Sequence, residues 1–524
     1  MKTDVMYILN QALVITMLFI TGLAFERMVE EVTIRLQNIR YSSKLVKLAK
    51  GSVKRSMWRL MLAYPTGLAL WGVMGFILLV FKIPFGRVTM FLSYMLIFSI
   101  LGYFYLDTKK NFNFEKTRFK HQLITAFVVF LLALICCSGL FRISISNDSY
   151  YYYSLYPQTL AIEGGYIRSF DVFLTDVGQI SAIIGTLPWF FGFEETVGIQ
   201  LFLSFNLVGL YCLGVYEMGF MRMPGKADIG IGKRRITNAI SVLSSLMLMA
   251  ASPFFVLTRW ILANAYFMTY FFIAFLLTIK LAEKEYVTGR RDRVLLTIYI
   301  ATLSMLRMEG GMFACLLVLC ACSLDLSDRI LLQNYVLPVA LTQILYYSAV
   351  YLELRVDPLY SFLSLTNVFI MLAVLAAVAV YIRFFRGKRL LTIQKHYTWV
   401  LLGGLALGNL VIAVISPERY MGNLGFFVQN IVHQNGWGPF GVLIPAALLL
   451  LPVGLDLREE IEFPVLFTLG YVLFTVALCW ARNGTLRVGI GDSGNRVLMQ
   501  IAPFVIYTLT GLLIERSNGK QEQQ

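Results

Sequence analysis

The strongest constraint on this chain is a recurrence: apolar runs separated by short loops rich in Lys and Arg. Most runs are close to the roughly 20 residues that a helix needs to cross a hydrocarbon layer. A backbone in lipid has no water to satisfy its N–H and C=O groups, so runs of this length fold as helices. Candidate spans fall near 6–25, 60–81, 88–106, 121–141, 198–219, 237–257, 262–282, 294–306, 310–324, 331–352, 361–385, 397–416, 438–454, 464–480 and 495–515. The expected fold is therefore an all-α polytopic membrane protein of roughly fifteen crossings.

Composition agrees with this reading. Of the 524 residues, 58% are hydrophobic and 14% charged, and the mean hydropathy is +0.71, which excludes an ordinary soluble domain. The net charge of +15 is spread over short clusters between apolar runs. It therefore reports topology, and nucleic acid is not expected as a partner. The clusters Lys44–Arg59, Lys109–Lys120, Arg222–Arg235, Lys284–Arg293 and Arg383–Lys395 alternate correctly if all are cytoplasmic and the N-terminus is outside.

Parity also bears on residues 179–197. Counting them as a crossing would move Arg222–Arg235 to the outer side, so Pro188, Gly192 and Glu194–Glu195 are read as part of a re-entrant or interfacial segment. The mixed apolar and basic stretch Glu26–Arg59 is read as an interfacial helix on the cytoplasmic surface. The polar tail 516–524 is expected to be disordered. The expected organisation is thus 1–120 for the N-terminal helices with their basic surface segment, 121–515 for a transmembrane core, and 516–524 for the tail.

The first run, Met6–Phe25, lacks a basic leader and a small-residue cleavage site, and Glu26-Arg27 follows it directly, so it is read as a retained helix. All seven cysteines lie in apolar runs without CxxC spacing or neighbouring His, which argues for packing and against disulfides or zinc.

The unusual chemistry falls in the outer loops. Ser146-Asn147-Asp148-Ser149 opens a long loop that continues through Tyr150–Tyr153 to Asp171 and Asp176. A carboxylate at Asp148, at the membrane edge, suits a general base or a divalent-metal ligand, and equally a helix N-cap beside tyrosines that anchor in headgroups. Arg307-Met308-Glu309-Gly310-Gly311 interrupts an apolar run. Charges at that depth must pair or face a polar cavity, so Arg307 and Glu309 are either site residues or a structural ion pair. The last outer loop carries Arg482, Arg487 and Asp492, and Arg496 opens an apolar helix where a guanidinium suits a phosphate or a lipid headgroup. Ser416–Tyr420 with His433, and Arg259-Trp260, are further candidates of the same kind.

At these residues the sequence resembles the GT-C superfamily, the multi-pass glycosyltransferases that use polyprenyl-phosphate-linked sugars, with protein mannosyltransferase-like and aminoarabinose transferase-like members. The resemblance runs from about Asn147 to Pro503. It rests on Asp148 opening the first large outer loop, the stretch up to Phe193, the Arg-x-Glu-Gly element of Arg307, Glu309 and Gly310, and the start of the last helix at Asn495, Arg496, Leu498, Gln500 and Pro503. Three features depart from the family pattern: extra helices precede Asp148, no acidic pair follows it, and no soluble domain follows the last helix.

The resemblance implies a membrane glycosyltransferase acting on a cell-surface glycan, lipid or polymer acceptor. Asp148 and Glu309 would be the catalytic residues, and Arg307, Arg487, Arg496, Asp171 and Arg259 would bind substrate and phosphate. A divalent Mg or Mn ion at Asp148 is the one cofactor it suggests. A single displacement at the anomeric carbon implies inversion. The expected setting is a bacterial plasma membrane with the site on the extracytoplasmic side. A transporter or lipid flippase, with Arg307, Glu309 and Asp148 lining a path, is the alternative reading.

Overall fold

A computed structural model describes residues 2–40, 57–94, 150–166, 178–193, 196–221, 231–282, 290–354, 364–386, 396–454, 459–481 and 486–522. Asp148, Asp171, Asp176 and Arg482 lie outside the described residues, as do the candidate span 121–141 and most of 88–106. Among the described residues the regular structure is entirely helical. Among the described residues nine helices are long and apolar enough to cross a membrane, or ten if one bent pair forms a single span. The chain is an all-α polytopic membrane protein.

The first two helices show how small residues set the packing. α1 (Lys2–Arg40) and α2 (Met57–Val80) cross at glycine. A Cβ at Gly22 would lie 1.7 Å from the Ala63 carbonyl oxygen, and one at Gly67 would lie 1.8 Å from that of Leu18. Only glycine lets two backbones approach so closely, and in lipid such contact supplies the association energy that hydrophobic burial supplies in water. α1 also departs from the sequence expectation, because it continues unbroken through Arg40. Glu26 is 2% exposed and accepts a hydrogen bond from Thr66 of α2, so this part of the stretch is packed inside the protein instead of lying along a lipid surface.

Next come α3 (Tyr156–Glu163) and the short pair α4 (Gln179–Gly185) and α5 (Leu187–Phe191). Neither member of that pair has the length of a crossing. α4 is buried against α2 and α10, and α5 packs beside α1, α3 and α4 with Trp189 exposed. α6 (Val197–Met221) leads to α7 (Ile231–Ala250) and α8 (Ser252–Arg259). The latter two meet at a 61° bend, where Ala251 is extended and Pro253 sits in the first turn of α8. Pro253 has no N–H to give the carbonyl four residues back, and its ring would clash with that carbonyl in a continuous helix, which accounts for the break.

α9 (Ala263–Ala282) is the centre of the molecule and is buried nearly throughout, as expected of a helix apolar on every face. Its Phe271 and Phe275 each lie 5.1 Å from Phe467, and Phe467 lies 5.0 Å from Phe504. Edge-on and tilted rings of this kind add to burial through their quadrupoles. α10 (Arg290–Leu306) and α11 (Gly310–Ala321) pack beside it, separated by the Arg307–Glu309 turn. They have 17 and 12 residues, so two of the fifteen expected spans are shorter than a full crossing. α12 (Leu337–Leu354) and α13 (Leu365–Val380) follow.

The remaining helices are α14 (Tyr397–Ile415), α15 (Pro417–Val432), α16 (Phe440–Leu450), α17 (Glu459–Ala481), α18 (Ser493–Met499) and α19 (Ala502–Glu522). α16 has 11 residues and is also short for a span. Residues 417–432, expected in an outer loop, form a 16-residue helix. α19 runs through Glu522, so helix replaces the disorder expected over most of the tail.

Candidate functional site

A polar cluster forms where α9, α11 and α18 begin. It starts with the turn between α10 and α11. Gly178 presses against this turn so closely that a Cβ would lie 1.9 Å from the Leu306 carbonyl. Glu309 is the N-cap of α11, although its side chain makes no cap bond. Instead, Arg307 Nε donates to Glu309 Oε1 at 2.5 Å. Arg307 also donates through Nη1 to Asn264 Oδ1 in the first turn of α9. The same oxygen accepts from Gln500 Nε2 at 3.1 Å, and Tyr471 of α17 donates to Gln500 Oε1 at 3.2 Å.

This chain of bonds joins four helices through a region that is otherwise apolar. Asn264 is 1% exposed and Glu309 3%. Groups so deep are costly unless every polar atom finds a partner. Two do not: Glu309 Oε2 and Asn264 Nδ2 have no protein hydrogen-bond partner. One acceptor and one donor thus remain beside a fixed guanidinium.

Arg496 is the second cation of the cluster. It lies four residues before Gln500, is 7% exposed, and stands 5.8 Å from the centroid of the Trp260 ring. Its helix is held in place by a dense set of backbone contacts. Asp492 caps α18 by accepting from the Asn495 N–H at 2.9 Å and also accepts from the Arg487 N–H at 3.1 Å. Asn495 accepts from Trp437 Nε1 at 2.7 Å and donates to the Asn435 carbonyl at 3.0 Å. The Trp260 end of α8 is capped by Gln200, whose Nε2 donates to the Trp260 and Thr258 carbonyls at 2.6 and 2.9 Å.

Tyr153 completes the cluster. Its hydroxyl lies near the start of α9 at Ala263. Burial raises its pKa, Arg307 and Arg496 act against that rise, and Glu309 adds to it. A single phenol hydroxyl thus feels both guanidiniums. The positive dipole ends of α9 and α11 lie beside the same charges, so this end of the bundle favours an anion.

The candidates read from sequence separate into groups. Arg307, Glu309 and Arg496 come together as described. Arg259 is partly buried, with its guanidinium 4.5 Å from the Phe255 ring centroid, one residue before Trp260. Arg487 contributes its backbone to the Asp492 turn while its side chain is exposed. Asp492 is fully used as a cap. His433 is the C-cap of α15 and is exposed. Asn264 and Tyr153 were not singled out for this role in the sequence, although a polar residue in the first turn of an apolar span was a signal for Asn264.

Asp148, where a divalent ion was expected, lies outside the described residues. No group of three His, Cys, Asp or Glu side chains occurs among them. Glu309 is neutralised by Arg307, and both Asp492 oxygens accept backbone N–H groups. No model of a known protein family matches the chain, and no curated protein is similar to it in sequence.

Proposed function

We propose that the chain is an inverting membrane glycosyltransferase that moves a sugar from a polyprenyl-phosphate donor to a hydroxyl of a surface glycan, lipid or polymer. The observation that carries this reading is the unfinished polar set at the start of α9 and α11, where Arg307 is fixed between Glu309 and Asn264 while Glu309 Oε2 and Asn264 Nδ2 stay without a protein partner, with the buried Arg496 four residues before the Gln500 that shares Asn264. Arginine forks fit phosphate oxygens, and a charge-assisted bond in a dry site strengthens as the leaving phosphate gains charge.

In this mechanism the acceptor oxygen attacks the anomeric carbon while the bond from that carbon to the phosphate oxygen breaks. The phosphate departs with the electron pair towards Arg496 and Arg307. The acceptor proton passes to a carboxylate, for which Asp148 and the unpartnered Oε2 of Glu309 are the candidates. No step is routed through a metal. The order of Asp148, the Arg307–Glu309–Gly310 element and the Asn495–Pro503 segment along the chain, and their similarity to GT-C enzymes, support the same reading. A bacterial plasma membrane with its site outside the cytoplasm is the proposed setting.

The test is sugar transfer from a labelled polyprenyl-phosphate donor by protein in nanodiscs, comparing wild type with Asp148→Asn and Arg496→Ala. Transfer lost in both variants at unchanged melting temperature supports the assignment. No turnover of any polyprenyl-phosphate sugar by the wild type, together with substrate movement across proteoliposomes, would replace it with a transporter in which Arg307 and Glu309 line the path.

A further inference from the structure

α15 is built inside out for a helix in water. Its inward face is Asn423, Phe427 and Asn430, all buried. Asn423 Nδ2 donates to the Cys479 carbonyl at 3.2 Å, and its Oδ1 accepts from the Leu486 N–H at 3.4 Å. Asn430 Nδ2 donates to the Arg487 carbonyl at 3.0 Å, and its Oδ1 accepts from the Gly489 N–H at 2.6 Å. The opposite face carries Met421, Val428 and Val432, exposed at 60, 53 and 66%. A helix facing water would reverse this arrangement, with amides outside and apolar groups inside.

What covers that outer face is argued by its neighbours. The end of α14, one residue before α15, exposes Leu410, Val414 and Ile415, and α16 exposes Val442, Leu443, Leu449 and Leu450. α14 is a span by length and composition, so its exposed side chains face hydrocarbon, and α15 continues the same apolar surface. Polar anchors sit at the start of the helix. Glu418 is exposed, and the Arg419 guanidinium stands 6.0 Å from the ring of Trp480 at the end of the span Ile461–Trp480. An Arg beside a Trp at a span end is the pattern of a headgroup-level belt.

We infer that α15 is bedded in the bilayer through Met421, Val428 and Val432 and holds the 486–495 strap against the membrane surface through Asn423 and Asn430. At 16 residues it is about 24 Å long, short of a full crossing. The strap leads through the Asp492 cap to Asn495 and Arg496. The Arg496 end of the cluster is therefore tied to lipid, which suits a ligand that arrives through the bilayer. The inference does not depend on the proposed reaction.

The experiment uses full-length protein in nanodiscs with its native cysteines replaced. Single nitroxides are placed through Met421→Cys, Val428→Cys, Val432→Cys and, as a headgroup control, Glu418→Cys. Power saturation with oxygen and with a water-soluble nickel chelate is then measured. The expected result is oxygen access well above nickel access at 421, 428 and 432, and the reverse at 418. Nickel access at all three apolar positions would place the helix in water and overturn the inference. Low access to both reagents would show a protein cover, a second copy or another segment of this chain, and would overturn it equally. Asn430→Ala tests the tether: hydrogen exchange over 486–492 should rise at least tenfold while the nitroxide pattern on α15 is unchanged. Unchanged exchange there would remove α15 as the anchor of the strap.

Discussion

The two ends of the central helix α9 carry contrasting ion pairs. At its C-terminal end Lys280 stands 3.4 Å from Glu217 Oε2 and 4.1 Å from the Trp58 ring centroid, and Trp58 Nε1 donates to Glu217 Oε1 at 2.5 Å. Both carboxylate oxygens are used, and the Glu217 side chain keeps 29% of its surface open. At the N-terminal end Arg307 holds only one oxygen of Glu309, and an acceptor and a donor are left over at almost complete burial. The first arrangement is finished and solvated, as a staple between α2, α6 and α9 should be. The second is unfinished, and an unfinished polar set is what a ligand completes.

Five substitutions would break or sharpen this contrast. The largest effect belongs to Arg307→Ala, which strands the Glu309 carboxylate in an apolar setting and should cost about 3–5 kcal/mol in thermal unfolding. Arg307→Lys should rescue little of the function, because one ammonium does not reproduce a fork that reaches Glu309 and Asn264 together. Arg496→Ala should lower transfer by about 10²–10³-fold at a nearly unchanged melting temperature, measured with saturating acceptor. A fall in stability without a selective loss of turnover would make Arg496 structural.

Asn264→Ala removes the acceptor shared by Arg307 and Gln500, and should cost about 1–3 kcal/mol in denaturant unfolding. The smallest effect is expected at the other end. Lys280→Ala should cost about 1 kcal/mol, since Glu217 is partly solvated and keeps its Trp58 bond. Turnover per folded molecule should be unchanged. If Lys280→Ala destabilised the protein as much as Arg307→Ala, the distinction between a finished and an unfinished pair would fail.

Arg307, Glu309 and Arg496 were legible in the sequence because charge inside or beside a long apolar run is costly and therefore conspicuous. Asn264 and Tyr153 were less so: an amide in a first turn and the last tyrosine of a run also occur as ordinary capping and headgroup residues. The Arg487 side chain, chosen as a cation near the last helix, turns outward while its backbone supports the Asp492 cap. α15 escaped because its pattern of Asn, Gly and apolar residues suits a loop. It becomes a helix with a lipid face only once α14, α16 and the 486–489 strap surround it.

Sequence by itself determined that the chain is helical and membrane-spanning, and where its longest spans fall, because hydrocarbon forces long apolar runs to satisfy their own backbone bonds. Only the tertiary structure decided which charges meet. Asn264 and Gln500 are 236 residues apart, and no local pattern encodes a contact at that separation. The passage of α1 through Glu26 was likewise decided by packing, because glycine contacts at Gly22 and Gly67 brought a buried Thr66 to the carboxylate. Short helices such as α4, α11 and α16 owe their place to neighbours that cover them, and hydropathy, which counts residues along one strand of chain, does not register neighbours.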